Sequence, residues 1–146
     1  MDAVTAQRFT DLDTRTLYAL LRLRVEVFVV EQRCAYQELD GWDTDPATWH
    51  VWIGSTDRVC GYLRVLRQDG IHRIGRVCTS KQVRGQGLGD RLMRYAMELT
   101  AGSPVELNAQ THATGFYRRH GFQPFGDQFL EDGIPHIGMR AGTIHQ

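Results

Sequence analysis

The chain has 146 residues, 42% of them apolar and 23% charged, and its 17 basic side chains balance 17 acidic ones to a formal net charge of zero. This length suits one folded domain, which buries roughly 68% of the surface its unfolded chain exposes, and the charge balance offers no footprint for a nucleic acid. No stretch approaches the roughly 20 apolar residues of a membrane helix. The N-terminal MDAVTAQRFTDLD has early acids and no apolar run, so it does not read as a signal peptide. Cys34, Cys60 and Cys78 are odd in number and lack metal-ligand spacing. They point to reduced thiols in a cytoplasmic protein rather than to a disulfide framework or a metal site.

In chain order, Val4 to Phe9 reads as a first strand. Asp13 or Thr14 caps a helix that runs to about Phe28, with Leu17, Leu20, Leu21, Leu23, Val27 and Phe28 on its apolar face. A short helical piece and an acidic loop then extend to Pro46. Trp49 to Gly54, Val59 to Arg67 and Ile71 to Thr79 form an antiparallel meander, with turns at Asp57-Arg58 and Asp69-Gly70. Leu88, Leu92, Tyr95, Ala96 and Leu99 repeat at helical spacing, and Ala101-Gly102-Ser103-Pro104 stops that helix. Val105 to Ala109 is a strand reached by a helical crossover, hence parallel to the one ending at Thr79. His112 to His120 is a short helix closed by Gly121, and Phe122 to Phe129 with Ile134 to Ala141 form a hairpin around Asp132-Gly133. The expected fold is mixed α/β (α+β): a mostly antiparallel sheet with one central parallel strand pair, flanked by helices.

The stretch Arg84-Gly85-Gln86-Gly87-Leu88-Gly89 joins a strand to a helix. Its glycines permit a tight turn and a close approach to the backbone. The unpaired N–H groups and the dipole at the helix N-terminus suit a pyrophosphate. A P-loop would need Gly-Lys-Ser/Thr, which is absent, and a dinucleotide fingerprint would need glycine where Asp90 stands, although Glu106 is suitably placed for a ribose acid. A glycine-rich helix start without a ligand is the bland alternative.

Arg84, Gly87 and Gly89 also meet the pattern Arg/Gln-x-x-Gly-x-Gly/Ala, and Ala113 to Phe122 reads Ala-x-x-x-Tyr-x-x-x-Gly-Phe. The first resembles the acetyl-coenzyme A loop of the GNAT superfamily of N-acetyltransferases, and the second that family's later block. The resemblance is close to the ElaA-like subgroup. It is carried by Arg24 with Val27 to Gln32, Cys34, Tyr36, Asp40-Gly41, Asp43, His50, Gly75-Arg76-Val77, Ala109-Gln110, His112 and Glu131 to Met139. It implies two central parallel strands that splay to admit the pantetheine arm. Backbone around Val77, Cys78 and Thr79 would hold that arm, and Arg84, Gly85, Gln86, Gly87, Leu88 and Gly89 would hold the pyrophosphate. Tyr117 takes the place of the residue that protonates the leaving thiolate. Gln110 stands where an asparagine is usual, with Asn108 as a substitute contact. The cofactor implied is acetyl-CoA, and a homodimer is a family-level expectation.

In the fold this chain resembles, the segments of Glu31 and His136 flank the acceptor cleft, so the resemblance implies Glu31 there as a group that steers a cation and holds a proton-relaying water, and His136 as a base near neutrality. His50 fits a structural histidine better, His112 a cap or surface residue, and Cys78 a buried inert thiol. Arg24 suits an ion pair with an acid of the following loop. The acids from Glu38 to Asp45 read either as a solvated loop or as a lure for a cationic amine. The expected activity is acetyl transfer to a primary amine of a small molecule or peptide, by direct attack. The rival readings are a non-catalytic coenzyme A-binding or sensing module and an unrelated nucleotide binder.

Overall fold

The computed structural model describes residues 3–33 and 37–142, so Cys34 and Tyr36 lie outside the described residues. Seven strands, β1 (Val4–Gln7), β2 (Trp49–Ser55), β3 (Arg58–Gln68), β4 (Ile71–Thr79), β5 (Val105–Gln110), β6 (Gln123–Glu131) and β7 (Ile134–Ala141), form one sheet in the order β1-β2-β3-β4-β5-β7-β6. Every pairing is antiparallel except β4 with β5. The helices are α1 (Thr14–Arg24), α2 (Leu88–Leu99) and α3 (Thr114–Arg118).

Period-two alternation explains why the sheet has two covered faces. Val51, Ile53, Leu63 and Val65 face one side and pack with Leu88, Leu92, Met93 and Ala96 of α2. Trp52 and Tyr62, their alternate neighbours, face the other side and meet Ala19, Leu20 and Leu23 of α1. The α2 stripe is the one the spacing predicts, with Met93 added to the buried set. Asp13 caps α1 by accepting from the Thr16 amide at 2.7 Å. Asp69-Gly70 and Asp132-Gly133 all take positive φ, the conformation of a tight two-residue hairpin turn.

Two elements differ from the sequence reading. The first helix is α-helical only to Arg24 and continues as a π-helix, Val25–Glu31, in which Val27 O accepts from Gln32 N at 3.0 Å. Its run of β-branched valines crowds a tight helix, and the wider winding re-phases the residues after it. The predicted helix after His112 is a 3₁₀ turn, Thr111–Ala113, leading into the five-residue α3.

Candidate functional site

The β4–β5 pairing holds only at His72↔Val105 and Arg73↔Glu106. Beyond it β4 stays with β3 and β5 with β7, so the two parallel strands part. A cleft of about 370 Å³ opens in the gap. Gly75, Arg76 and Val77 line it from β4, and Leu107, Asn108 and Gln110 from β5. At the same place β4 bulges: Tyr62 faces Cys78 and Arg64 faces Gly75, so Leu63 alone opposes both Arg76 and Val77. Arg76 is left-handed there, with φ +54°.

A second depression, of about 380 Å³, lies at the start of α2 between Thr79 and Gly89. Gly85 and Gly87 have φ of +86° and +77°, and a Cβ on either would meet open space. Glycine is favoured there by the backbone angle, and the side-chain direction is left clear. At Gly89 the constraint is packing, because a Cβ would lie 3.2 Å from the Phe116 ring. Leu88 buries its side chain in the core, so only its backbone faces the turn. Gln86 lies on the adjoining rim, beside Arg91, Arg94, Arg119 and His120, the last two paired with Asp90. An open amide cradle with a basic rim fits a phosphate-bearing ligand.

The sequence reading expects Glu31 at the acceptor end. Its carboxylate instead receives both terminal nitrogens of Arg84, at 2.5 and 2.8 Å. That hydrogen bonding holds the carboxyl below its usual range. The π-helical winding puts Phe28 and Gln32 on the cleft and Glu31 on the glycine loop. Arg84 also donates to Thr79 O at 3.0 Å. Its charge is therefore matched within the protein rather than held free for a phosphate.

Tyr117 and His136 do come together at the main cleft, with Asn108. Tyr117 is half-buried, packed edge-on against Phe116 and Phe122. Burial and the neighbouring Cys78 push its phenol up to about 12, so it stays protonated at neutral pH. Among the described residues its hydroxyl has no hydrogen-bond partner, which is unlike a structural core tyrosine. His136 is buried. Its Nδ1 donates to Ile134 O at 2.7 Å, leaving Nε2 toward Glu131 at 3.6 Å, with the ring stacked on Phe129. Cys78 is buried on the α1 side and burial raises its thiol far above the ordinary range, so only its backbone suits the site. His50 is a core histidine bonded to the Tyr62 hydroxyl and Asp43 O. His112 lines the cleft and contacts Gln110 Oε1 at 2.8 Å, and Gln110 Nε2 in turn donates to Gln32 Oε1 at 3.2 Å.

Three acids of the loop after the π-helix, Glu38, Asp40 and Asp43, are paired with arginines. Arg24, fully buried, bonds Glu38 at 2.6 Å and Asp43 at 2.7 Å. Arg64 bonds Asp40 and Asp43, and Arg76 reaches Glu38 and Asp40. Burial raises the Asp40 carboxyl, but Arg64, the Trp42 amide and Arg76 outweigh it and hold the group near about 2. Sequence reasoning anticipated the Arg24 pair and missed Arg64 and Arg76. The available signal was a set of arginines on sheet strands in a chain with an acid-rich loop.

The comparisons with known proteins agree with this geometry. A model of the GNAT acetyltransferase domain matches residues 15–142. A UPF0039 protein of Mycobacterium tuberculosis is 47% identical over 139 residues, covering 91% of this chain and 89% of the relative. Protein ElaA of Escherichia coli is 42% identical over 142 residues, covering 92% and 93%. A solved acyl-CoA N-acyltransferase of Pseudomonas aeruginosa superposes with a TM-score of 0.91 at 44% identity, over 97% of this chain and all of its own. With the splayed strands and the glycine turn in place, the chain belongs to the GNAT family of acyltransferases, among the ElaA-like and UPF0039 proteins.

Proposed function

We propose that the protein transfers an acetyl group from acetyl-CoA to a primary amine of a small molecule or peptide. The observation that carries this reading is that β4 borders both features: its Gly75, Arg76 and Val77 line the cleft together with Tyr117 and His136, and its last residue, Thr79, lines the depression at the glycine turn. Amides from Gly85 to Gly89 hold the pyrophosphate, with Gln86 at the rim. Backbone at Val77, Cys78 and Thr79 holds the pantetheine arm, and Asn108 borders it from β5. Acetyl-CoA supplies the activated thioester and a thiolate leaving group.

Tyr117 donates a hydrogen bond to the departing sulfur. A phenol near about 12 against a thiol near about 8.5 makes full proton transfer uphill by roughly 5 kcal/mol, so hydrogen bonding to developing charge is its main contribution. His136, held in one tautomer by Ile134 O, presents Nε2 as the proton acceptor for the amine. Glu31 balances the charge of Arg84 at the start of the glycine loop.

Release of free thiol with a panel of amines at saturating acetyl-CoA tests the reading. Turnover with at least one amine is expected. Coenzyme A-induced thermal stabilisation without turnover would favour a binding or sensing module. Stabilisation by ATP or NAD but not by coenzyme A would favour an unrelated nucleotide binder.

A further inference from the structure

We infer that Arg76 is a positioning residue for the transfer: tied to Glu38 and Asp40, its guanidinium holds the left-handed bulge in β4 that sets the Val77 backbone against the cleft. This rests on the acyl-transfer reading above. The bulge puts two β4 residues, Arg76 and Val77, opposite Leu63 alone, and both of them line the cleft. A bulge takes backbone groups out of the ladder and re-aims the side chains next to it. A residue with a Cβ at φ +54° is uncommon, and such a conformation persists only where its surroundings over-determine it.

The surroundings here are specific. Arg76 Nε lies 3.1 Å from Glu38, and Nη2 lies 3.3 Å from Asp40 Oδ2 and 3.4 Å from Glu38 O. Both acids are anchored from beneath, Glu38 by the fully buried Arg24 and Asp40 by Arg64. Arg76 therefore ends a chain of ion pairs that begins in the interior, and it is the member that sits on the bulge itself. The tether offsets the cost of holding a residue with a Cβ in the left-handed region, a cost that glycine would not carry.

Three substitutions separate positioning from direct contact with the acceptor. Glycine accepts φ +54° without strain and loses the tether, alanine loses the tether and keeps the strain, and lysine keeps one charge but cannot bridge two acids. With an amine found in the panel, Arg76→Ala is expected to lower kcat at least thirtyfold. Arg76→Gly should stay within fivefold of the unmodified protein and Arg76→Lys should fall between, with amine KM within threefold throughout. Hydrogen exchange of residues 74–79 provides a readout that does not need turnover. Protection gained on adding acetyl-CoA should appear in the unmodified protein and in Arg76→Gly, and be missing in Arg76→Ala. Equal losses in the glycine and alanine proteins, a loss confined to amine KM, or full protection in Arg76→Ala would each overturn the inference. If no amine is turned over, the acyl-transfer reading fails and the exchange pattern still decides the role of Arg76. Should Arg76→Ala not fold, Asp40→Asn is compared in both backgrounds. It must weaken that protection more with Arg76 present than with Arg76→Gly, and an equal effect overturns the inference.

Discussion

Glu31 and Arg84, 53 positions apart in sequence, form a two-pronged ion pair that ties the end of the π-helix to the first residue of the glycine turn. Both groups are partly exposed, so the pair itself contributes little to stability. Its effect is on the local field. Glu31→Gln leaves Arg84 uncompensated beside the phosphate cradle, and coenzyme A is expected to bind about two- to fivefold more tightly at low salt. The gain should vanish near about 0.5 M salt, where screening reaches only a few ångströms. Calorimetric titration at two salt concentrations checks this, and unchanged or weaker binding at low salt would contradict it.

Gly87 caps α2 in the left-handed region. Gly87→Ala is therefore expected to destabilise the fold by about 1–2 kcal/mol, and Gly87→Asn by less, because asparagine tolerates that region. Gly87→Glu adds a charge over the amides as well, so it should lose coenzyme A-induced thermal stabilisation. Undiminished stabilisation in Gly87→Glu would remove this turn from the site.

Tyr117→Phe removes one hydroxyl and keeps the packing against Phe116 and Phe122. The loss of one hydrogen bond to developing charge corresponds to about 10²–10³-fold in kcat, with acetyl-CoA affinity retained. Because burial holds the phenol near about 12, Tyr117 stays protonated through pH 10 and contributes no basic limb below it. A basic limb below pH 10 that disappears in Tyr117→Phe would show that the phenol ionises in the working range.

His136→Ala is expected to lower kcat/KM for the amine while leaving acetyl-CoA affinity within threefold. An alkyl ammonium has a pKa near about 10.4, so its free-base fraction rises about tenfold per pH unit below that value. The defect should therefore shrink as pH rises from 7 toward 9. A defect of constant size would mean that His136 acts by packing against Phe129 rather than by taking the proton.

Asp40 sets a pH window for stability. Its folded carboxyl lies near about 2, below an unfolded value near about 3.9. The stabilisation is then present above about pH 4 and lost as pH falls toward 2, amounting to about 1–2 kcal/mol once solvent screening of this partly exposed group is allowed for. Asp40→Asn should be less stable than the unmodified protein at pH 6, and the two unfolding curves should converge as pH approaches 2. Parallel curves over that range would mean that Asp40 is not depressed in the folded protein.

The elements were legible in the sequence where neighbouring residues decide them. The α2 stripe from Leu88 to Leu99, the strand read from Trp49 to Gly54 and the Asp-Gly turns at 69–70 and 132–133 are local patterns, and all appear in the structure, the strand one residue longer. The glycine turn was legible for the same reason, since Gly85 and Gly87 carry their conformational requirement in their own backbone. The parallel step between β4 and β5 came from the length of the crossover between them. Beyond the pairing of Arg24 with the acidic loop, only the tertiary structure decided which charges meet. Glu31 finds Arg84 across 53 positions and Arg76 finds Glu38 across 38, because the sheet order and the π-helical winding bring them together. Coulombic attraction has no periodicity along the chain. An acidic loop and scattered arginines are therefore compatible with many pairings until the fold selects one, and here it gives Glu31 to Arg84 and the acids Glu38, Asp40 and Asp43 to Arg24, Arg64 and Arg76.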